Sequence, residues 1–324
     1  MRILVTGGAG FIGSNFILYM LNKYPNYEVV NMDSLTYAGN IQNLASVENN
    51  PNYSFIQADI TDRQIVEQIM SNGIDKVVNF AAESHVDRSI QNPDVFLKTN
   101  VLGTHVLLES AKKFGVSKFV QISTDEVYGT LGAEGLFTED TPLAPNSPYS
   151  ASKAGGDLIA RAYYETYHFP VSITRCSNNY GPYQFPEKLI PMVLTKALRN
   201  EKIPVYGDGL NVRDWLYVED HCSAIDLVLH KGKDGEVYNI GGNNERTNLQ
   251  IVNTILNEIN KNHNELISFV TDRLGHDRRY AIDASKIRTE LGWEPKYNFE
   301  VGIKKTVDWY IKNQEWLEAL VKKV

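Results

Sequence analysis

A short apolar run, Arg2-Ile-Leu-Val-Thr6, leads directly into Gly7-Gly-Ala-Gly10-Phe-Ile-Gly13, and a helical pattern then continues to about Asn22. Few folds accommodate a strand, a glycine turn and a helix in that order. Gly7 allows a tight turn, Gly10 lets backbone approach a pyrophosphate, and Gly13 lets helix and strand pack closely. Free N–H groups and the macrodipole at the helix start favour an anion there. A second strand, Glu28-Val-Val-Asn-Met32, ends in Asp33. That residue lies about 20 positions past the last glycine, where a carboxylate binds the adenosine ribose hydroxyls. A carboxylate there repels a 2′-phosphate and no arginine follows it closely, so the motif predicts NAD rather than NADP.

The alternation continues downstream. Tyr53–Gln57, Lys76–Phe80, Lys118–Ile122 and Val171–Thr174 read as strands, while Arg63–Ser71, Asp94–Phe114 and Tyr149–His168 read as helices. Short apolar strands alternating with helices predict an α/β fold, a doubly wound, Rossmann-like parallel sheet covered on both faces. Ligands in such sheets bind beyond the carboxyl ends of the strands. Asp33, Asp59, the stretch 81–84, Thr124–Glu126 and Asn178 all follow strands, which places them on one rim. Past residue 180 the texture changes. A loop over Gly181–Pro186 precedes a helix over Leu189–Arg199 and a short strand over Trp215–Val218. Helices follow from Asn248, with Thr247 as N-cap, over Ser285–Leu291 and from about Phe299 to Leu320. This half predicts a smaller, mixed α/β substrate domain over 176–324, after a dinucleotide domain over 1–175 to which the chain returns around 215–240.

Two motifs carry chemistry. In Tyr149-Ser-Ala-Ser-Lys153 the spacing of four puts both side chains on one helix face. A nearby ammonium and a nicotinamide cation favour phenolate, which suits Tyr149 to act as a base at neutral pH. Thr124 would bond the same substrate oxygen. The adjacent Asp125 and Glu126 suggest a second reaction, one that moves protons and expels a leaving group. Neighbours in an extended strand point to opposite faces, so both can serve only if the chain turns after Ser123.

Composition removes other classes. The net charge is −7 and basic residues do not cluster, which argues against a nucleic-acid partner. Cys176 and Cys222 have neither CxxC nor metal spacing, so they read as small buried residues of a reducing cytoplasm, and no metal is expected. No stretch approaches the ~18 apolar residues of a membrane helix. A strand starting at residue 2 leaves no room for a signal peptide.

Gly7–Gly13 with Asp33, Thr124, Tyr149 and Lys153 resemble the extended short-chain dehydrogenase/reductases that act on nucleotide sugars. Longer blocks are similar to the dTDP-glucose 4,6-dehydratases in particular. They include Asp33–Asn40, Ala81–Ser89, Thr124–Gly129, Ser177–Pro191, Arg213-Asp-Trp and Asp272–Tyr280, so the resemblance spans nearly the whole chain. It implies that Phe11 and Ile12 with Asp33, Ser34, Leu35 and Thr36 line the adenosine half of NAD, and that Asp59 and Ile60 contact adenine. Phe80, Ala81, Ala82, Glu83, Ser84 and Thr99 would follow the cofactor toward the nicotinamide, with Asn179 nearby. Ser84, Thr124, Asp125 and Glu126 would contact the sugar. Asn178, Lys188, Leu189, Pro204, Val205, Tyr206, Arg213, Asn248, Asp272, Arg273, Leu274, Gly275 and His276 would hold the nucleotide diphosphate of dTDP-glucose. A guanidinium can bind phosphate oxygens bidentately, which suits Arg213 and Arg273. Leu274 stands where many relatives have proline.

The resemblance further implies oxidation at C4 by Tyr149 and NAD, removal of the C5 proton by Glu126, protonation of the departing C6 hydroxyl by Asp125, and hydride return to C6. It also implies a homodimer through the helices Asp94–Phe114 and Tyr149–His168. Val95, Leu97, Val101, Leu102, Val106 and Leu108 supply more apolar surface there than one core stripe requires. A nucleotide-sugar 4-epimerase or decarboxylase of the same superfamily is the alternative, and it has no need of the Asp-Glu pair. A dinucleotide-sensing regulator should have lost Tyr149 or Lys153.

Overall fold

The computed structural model describes residues 1–272 and 274–322. Twelve strands are formed among these residues: β1 (Arg2–Thr6), β2 (Glu28–Asp33), β3 (Tyr53–Gln57), β4 (Lys76–Asn79), β5 (Lys118–Thr124), β6 (Val171–Cys176), β7 (Asn178–Tyr180), β8 (Ile203–Tyr206), β9 (Val212–Tyr217), β10 (Val237–Ile240), β11 (Glu245–Thr247) and β12 (Ile267–Val270). Seven make one parallel sheet in the order β10-β6-β5-β4-β1-β2-β3. The order reverses at β1, whose Thr6 pairs with Met32 of β2 on one side and Asn79 of β4 on the other. That switch point opens the crevice where such sheets bind ligands.

Both faces of the sheet are buried, as a parallel sheet requires. Successive β1 side chains alternate between them. Ile3 and Val5 join Phe16, Met20, Ile225 and Val228 beneath the helices Phe11–Lys23 and Val218–Lys231. Leu4 joins Val77, Leu107, Ala160 and Tyr163 beneath the helices Arg63–Ser71, Thr104–Lys113 and Pro148–Tyr167. A third apolar cluster, with Val193, Ile251, Ile255, Phe299 and Ile303, binds the helices Leu189–Leu198, Asn248–Glu258 and Phe299–Lys312 into a separate lobe. The chain re-enters the main sheet through Val218–Lys231 and β10.

Two helices differ from the pattern reading. The stretch Asp94–Phe114 is not uniform: Pro93–Leu97 and Thr104–Lys113 flank a wider-turned segment, Lys98–Gly103. Close packing accompanies this widening. A Cβ at Gly156 of the facing helix would meet the Asn100 carbonyl at 2.7 Å, and one at Gly103 would meet Ile60 at 2.4 Å. The C-terminal helix is also two pieces, Phe299–Lys312 and Gln314–Val321, whose Trp309 and Trp316 rings pack edge to face.

Candidate active site

The carboxyl ends of the central strands border a cleft of about 370 Å³. Its floor begins at Gly7, where φ is +68° and an added Cβ would lie 2.6 Å from the Ala81 nitrogen. The loops after β1 and β4 therefore touch backbone to backbone. The helix Phe11–Lys23 starts at Gly10 without a side-chain cap, which leaves its first N–H groups to an anion. Asp33 closes β2 and accepts hydrogen bonds from the Ala9 N–H at 2.9 Å and the Leu35 N–H at 2.7 Å. Burial raises its pKa, and those two donors oppose the rise. An uncapped helix start, a glycine cradle and a backbone-held carboxylate fit a dinucleotide of the NAD type.

Most residues expected around that cofactor line the cleft: Gly7, Gly10–Gly13, Asp33, Ser34, Thr36, Asp59, Ile60, Phe80–Ser84, Thr99 and Asn179. Leu35 is outside the lining and instead turns the chain at φ +53°. Asn100 was missed. Its side chain accepts from the Glu83 N–H at 2.9 Å, donates to the Glu83 carbonyl at 3.0 Å and reaches Ser152 at 2.8 Å. It thereby fixes the wall after β4 against the helix Pro148–Tyr167.

The reacting end forms where β5 stops. Strand geometry continues through Thr124, and the turn Asp125–Tyr128 begins one residue later than the pattern suggested. Thr124 caps this turn, its hydroxyl accepting from the Glu126 N–H at 3.3 Å. The turn brings both carboxyls to the cleft. Burial pushes Asp125 well above the usual carboxylate range, the Glu126 and Asp214 charges add to this, and Arg213 opposes it. One member of the pair is thus set to carry a proton, the division of labour that acid and base partners require.

Tyr149 and Lys153 rise from the helix Pro148–Tyr167, which starts at a capping box between Ser147 and Ser150 with Pro148 in its first turn. The Lys153 ammonium donates to the Ile122 carbonyl at 2.6 Å. Burial raises the Tyr149 pKa well above its ordinary value, the Glu126 charge raises it further, and the Thr124 hydrogen bond opposes. The phenolate expected from the sequence therefore depends on the nicotinamide cation and is not favoured by the protein groups alone.

The residues expected to hold a nucleotide divide into two groups. Asn178 and Lys188 line the cleft, and the Lys188 ammonium donates to the Ser84 carbonyl at 3.0 Å. Leu189, Pro204, Val205, Tyr206, Arg213, Asn248, Asp272, Leu274, Gly275 and His276 lie outside its lining. Several of these gather beyond the parallel pair β8–β12 instead. There His276 meets Asp272 at 2.6 Å and sets its ring edge-on to Tyr206. Arg213 lies on β9, opposite Arg246 of β11. It donates to the Val212 and Asp277 carbonyls at 2.7 and 2.9 Å and lies 4.4 Å over the Tyr280 ring. Arg273 lies outside the described residues.

With this geometry in view, comparison with known proteins is decisive. The family described as GDP-mannose 4,6 dehydratase matches residues 4–306. A dTDP-glucose 4,6-dehydratase of Xanthomonas campestris pv. campestris (strain B100) is 55% identical, over 98% of this chain and 95% of its own. The chain belongs to the dTDP-glucose 4,6-dehydratases. The fold agrees. The dTDP-glucose 4,6-dehydratase of Bacillus anthracis str. Ames, solved in complex with NAD, superposes with a TM-score of 0.93 at 58% identity, covering 99% of each chain. That of Streptomyces venezuelae, also solved with NAD, gives 0.96 at 51% identity, covering 99% of this chain and 100% of its own. Within the dehydratase cleft, Tyr37, Lys98, Ser123, Gln184, Phe185 and Glu187 are lining residues that received no role from the sequence. Tyr37 and Glu187 sit inside quoted motif blocks, whereas Lys98 belongs to the widened helical segment and carried no signal. Among the described residues no helix is long and apolar enough to cross a membrane.

Proposed function

We propose that the chain converts dTDP-glucose to dTDP-4-keto-6-deoxyglucose and water in a redox-neutral cycle with NAD. One observation carries this reading: Asp125 and Glu126 share a turn that faces the same cleft as Thr124, Tyr149 and Lys153. Simple alcohol oxidation or 4-epimerisation leaves that carboxyl pair without a task. When bound, NAD accepts a hydride from sugar C4 and later returns one to C6. With the nicotinamide cation and the Lys153 ammonium favouring its phenolate, Tyr149 Oη takes the C4 hydroxyl proton while Thr124 bonds the same oxygen. The resulting ketone acidifies the C5 proton, which the Glu126 carboxylate removes. Asp125, kept protonated by burial and the Glu126 charge, donates to the C6 hydroxyl, which leaves as water. Each transfer is worth about 10²–10⁴ in rate. The dTDP end is held by Lys188 and Asn178 and, beyond the cleft lining, by Arg213 and the lobe around Tyr206, Asp272 and His276.

The protein acts as a cytoplasmic homodimer in this reading. Leu97 and Leu102 on one helical stretch and Leu158 on the helix Pro148–Tyr167 are each about half exposed, an apolar patch that a second copy covers. Val106 and Leu108 belong to the core instead, which narrows the sequence argument to these leucines. A sedimentation coefficient of a monomer at micromolar concentration would remove the dimer.

The reaction itself is tested with deuterium at C4 of dTDP-glucose. The label is expected at C6 of the product, in the same molecule, with no net accumulation of reduced cofactor. Label lost to solvent refutes the internal transfer.

A further inference from the structure

Tyr149, Lys153 and Asp157 occur at successive intervals of four on one helix, so one face carries all three. All three are buried, Asp157 almost completely. Its carboxylate accepts a hydrogen bond from Arg175 Nε at 3.0 Å, and both partners of that ion pair are inaccessible to solvent. Arg175 lies on β6 opposite Ser123 of β5. Its Nη1 donates at 2.9 Å to the Tyr128 hydroxyl, which in turn donates at 2.8 Å to Asn239 of β10. Tyr128 is the last residue of the turn that carries Asp125 and Glu126. A continuous buried chain of polar contacts therefore joins the helix of Tyr149 and Lys153 to the turn of the two carboxyls.

We propose that Asp157 is a positioning residue for the reaction: through Arg175 and Tyr128 it sets the helix of Lys153 against the Asp125–Glu126 turn, with its carboxylate one helical turn from Lys153. The inference rests on the dehydratase reading. The surroundings of both groups support it. Lys153 faces the Ile122 carbonyl from β5, the Cys176 thiol from β6, and Asp157 from its own helix. Burial lowers its pKa, and Asp157 is the strongest group resisting that fall. Asp157 faces Arg175 from β6, Lys153 one turn back, and the Ser123 hydroxyl from β5. Burying two opposite charges is costly unless geometry and further hydrogen bonds offset the desolvation, and here Arg175 gains the Tyr128 hydroxyl as a second partner while Asp157 lies one helical turn from Lys153.

Asp157→Asn removes the charge at constant shape but leaves Arg175 uncompensated. Asp157→Asn/Arg175→Gln replaces the pair with two neutral amides and carries the test if the single variant does not fold. Two quantities are followed against pH: the rate of cofactor reduction in a single turnover, and the titration of Lys153 by NMR in protein labelled at the lysine ε carbon, assigned with Lys153→Arg. An opposite charge nearby moves a pKa by about 1–3 units. Both the alkaline limb of the rate and the Lys153 midpoint should therefore move to lower pH by that order in Asp157→Asn against the native protein, and in the double variant against Arg175→Gln, a comparison in which the loss of the Arg175 cation cancels. An unmoved limb and midpoint in the folded comparison overturns the inference and leaves Asp157 a structural ion pair. Failure of the native protein to form a 4-keto sugar would instead overturn the dehydratase reading, and the Lys153 midpoint decides the inference independently of it.

Discussion

At the cofactor end of the cleft, functional side chains sit at or next to strand ends whose register is locked by neighbours on both sides: Asp33 closing β2, Phe80 after β4, Thr124 closing β5. At the far end, beyond β8 and β12, a two-stranded pair carries Tyr206 and the segment with Asp272 and His276, and most of these side chains are exposed. The first end is held by the cores on both faces of the sheet. The second is anchored in the third apolar cluster through Ile203 and Val205 of β8 and Ile267 of β12, and its rim carries exposed contacts such as the Asp208–Arg278 ion pair at 2.8 Å. The difference suggests that the cofactor site is rigid before any ligand arrives, while the nucleotide end takes its final form on the ligand.

The largest expected effect probes the rigid end. Glu126→Gln should lower product formation by about 10²–10⁴-fold while leaving oxidation at C4 intact. Absorbance of reduced cofactor, retained on the protein after mixing with substrate, is the readout. If product falls without that absorbance, Glu126 is not the base for C5.

A smaller loss is expected at the other edge of the same end. Asp33→Ala should weaken NAD binding by roughly 1.5–3 kcal/mol, the scale of hydrogen bonds to a charged group. Titration calorimetry on the apoprotein measures it, and equal affinity of the native protein for NAD and NADP would contradict the role given to the carboxylate.

The smallest effect belongs to the adaptable end. Asp272 is exposed and paired with His276, whose side chain is buried, and an ion pair open to solvent on one side contributes about 1 kcal/mol. Asp272→Asn should therefore raise KM for dTDP-glucose by less than about fivefold and leave NAD affinity unchanged. A joint collapse of both would erase the contrast between the two ends.

The same contrast decides what was legible in the sequence. Strands β1 to β6 announced themselves as apolar runs, and the residues after them could be placed on one rim by counting. Glycine spacing and the interval to Asp33 named residues that line the cleft, and the resemblance named the others expected around the cofactor, of which Leu35 lies outside the lining. Tyr149 and Lys153 followed from helical periodicity. Their protonation did not, because it depends on how deeply the helix is buried and on the Glu126 charge across from it, quantities that no local pattern encodes. The short strands β7, β8, β11 and β12 lacked the length for an alternation to show. Asn100 and Lys98 escaped because their stretch reads as one regular helix, and its widened turn meets partners distant in sequence, Gly156 and Ile60.

The pairing of β10 with β6 has a consequence for how the chain comes off the ribosome. After Cys176 is made, the outer edge of β6 stays unpaired until Val237–Ile240 follows. Synthesis at about 5–20 residues per second makes that a wait of several seconds. Throughout it the growing sheet presents an open row of N–H and C=O groups, the kind of edge on which strands of other chains add. Closing the sheet waits on the whole intervening segment, so the partly made protein is most exposed to aggregation at the strand that also carries Arg175.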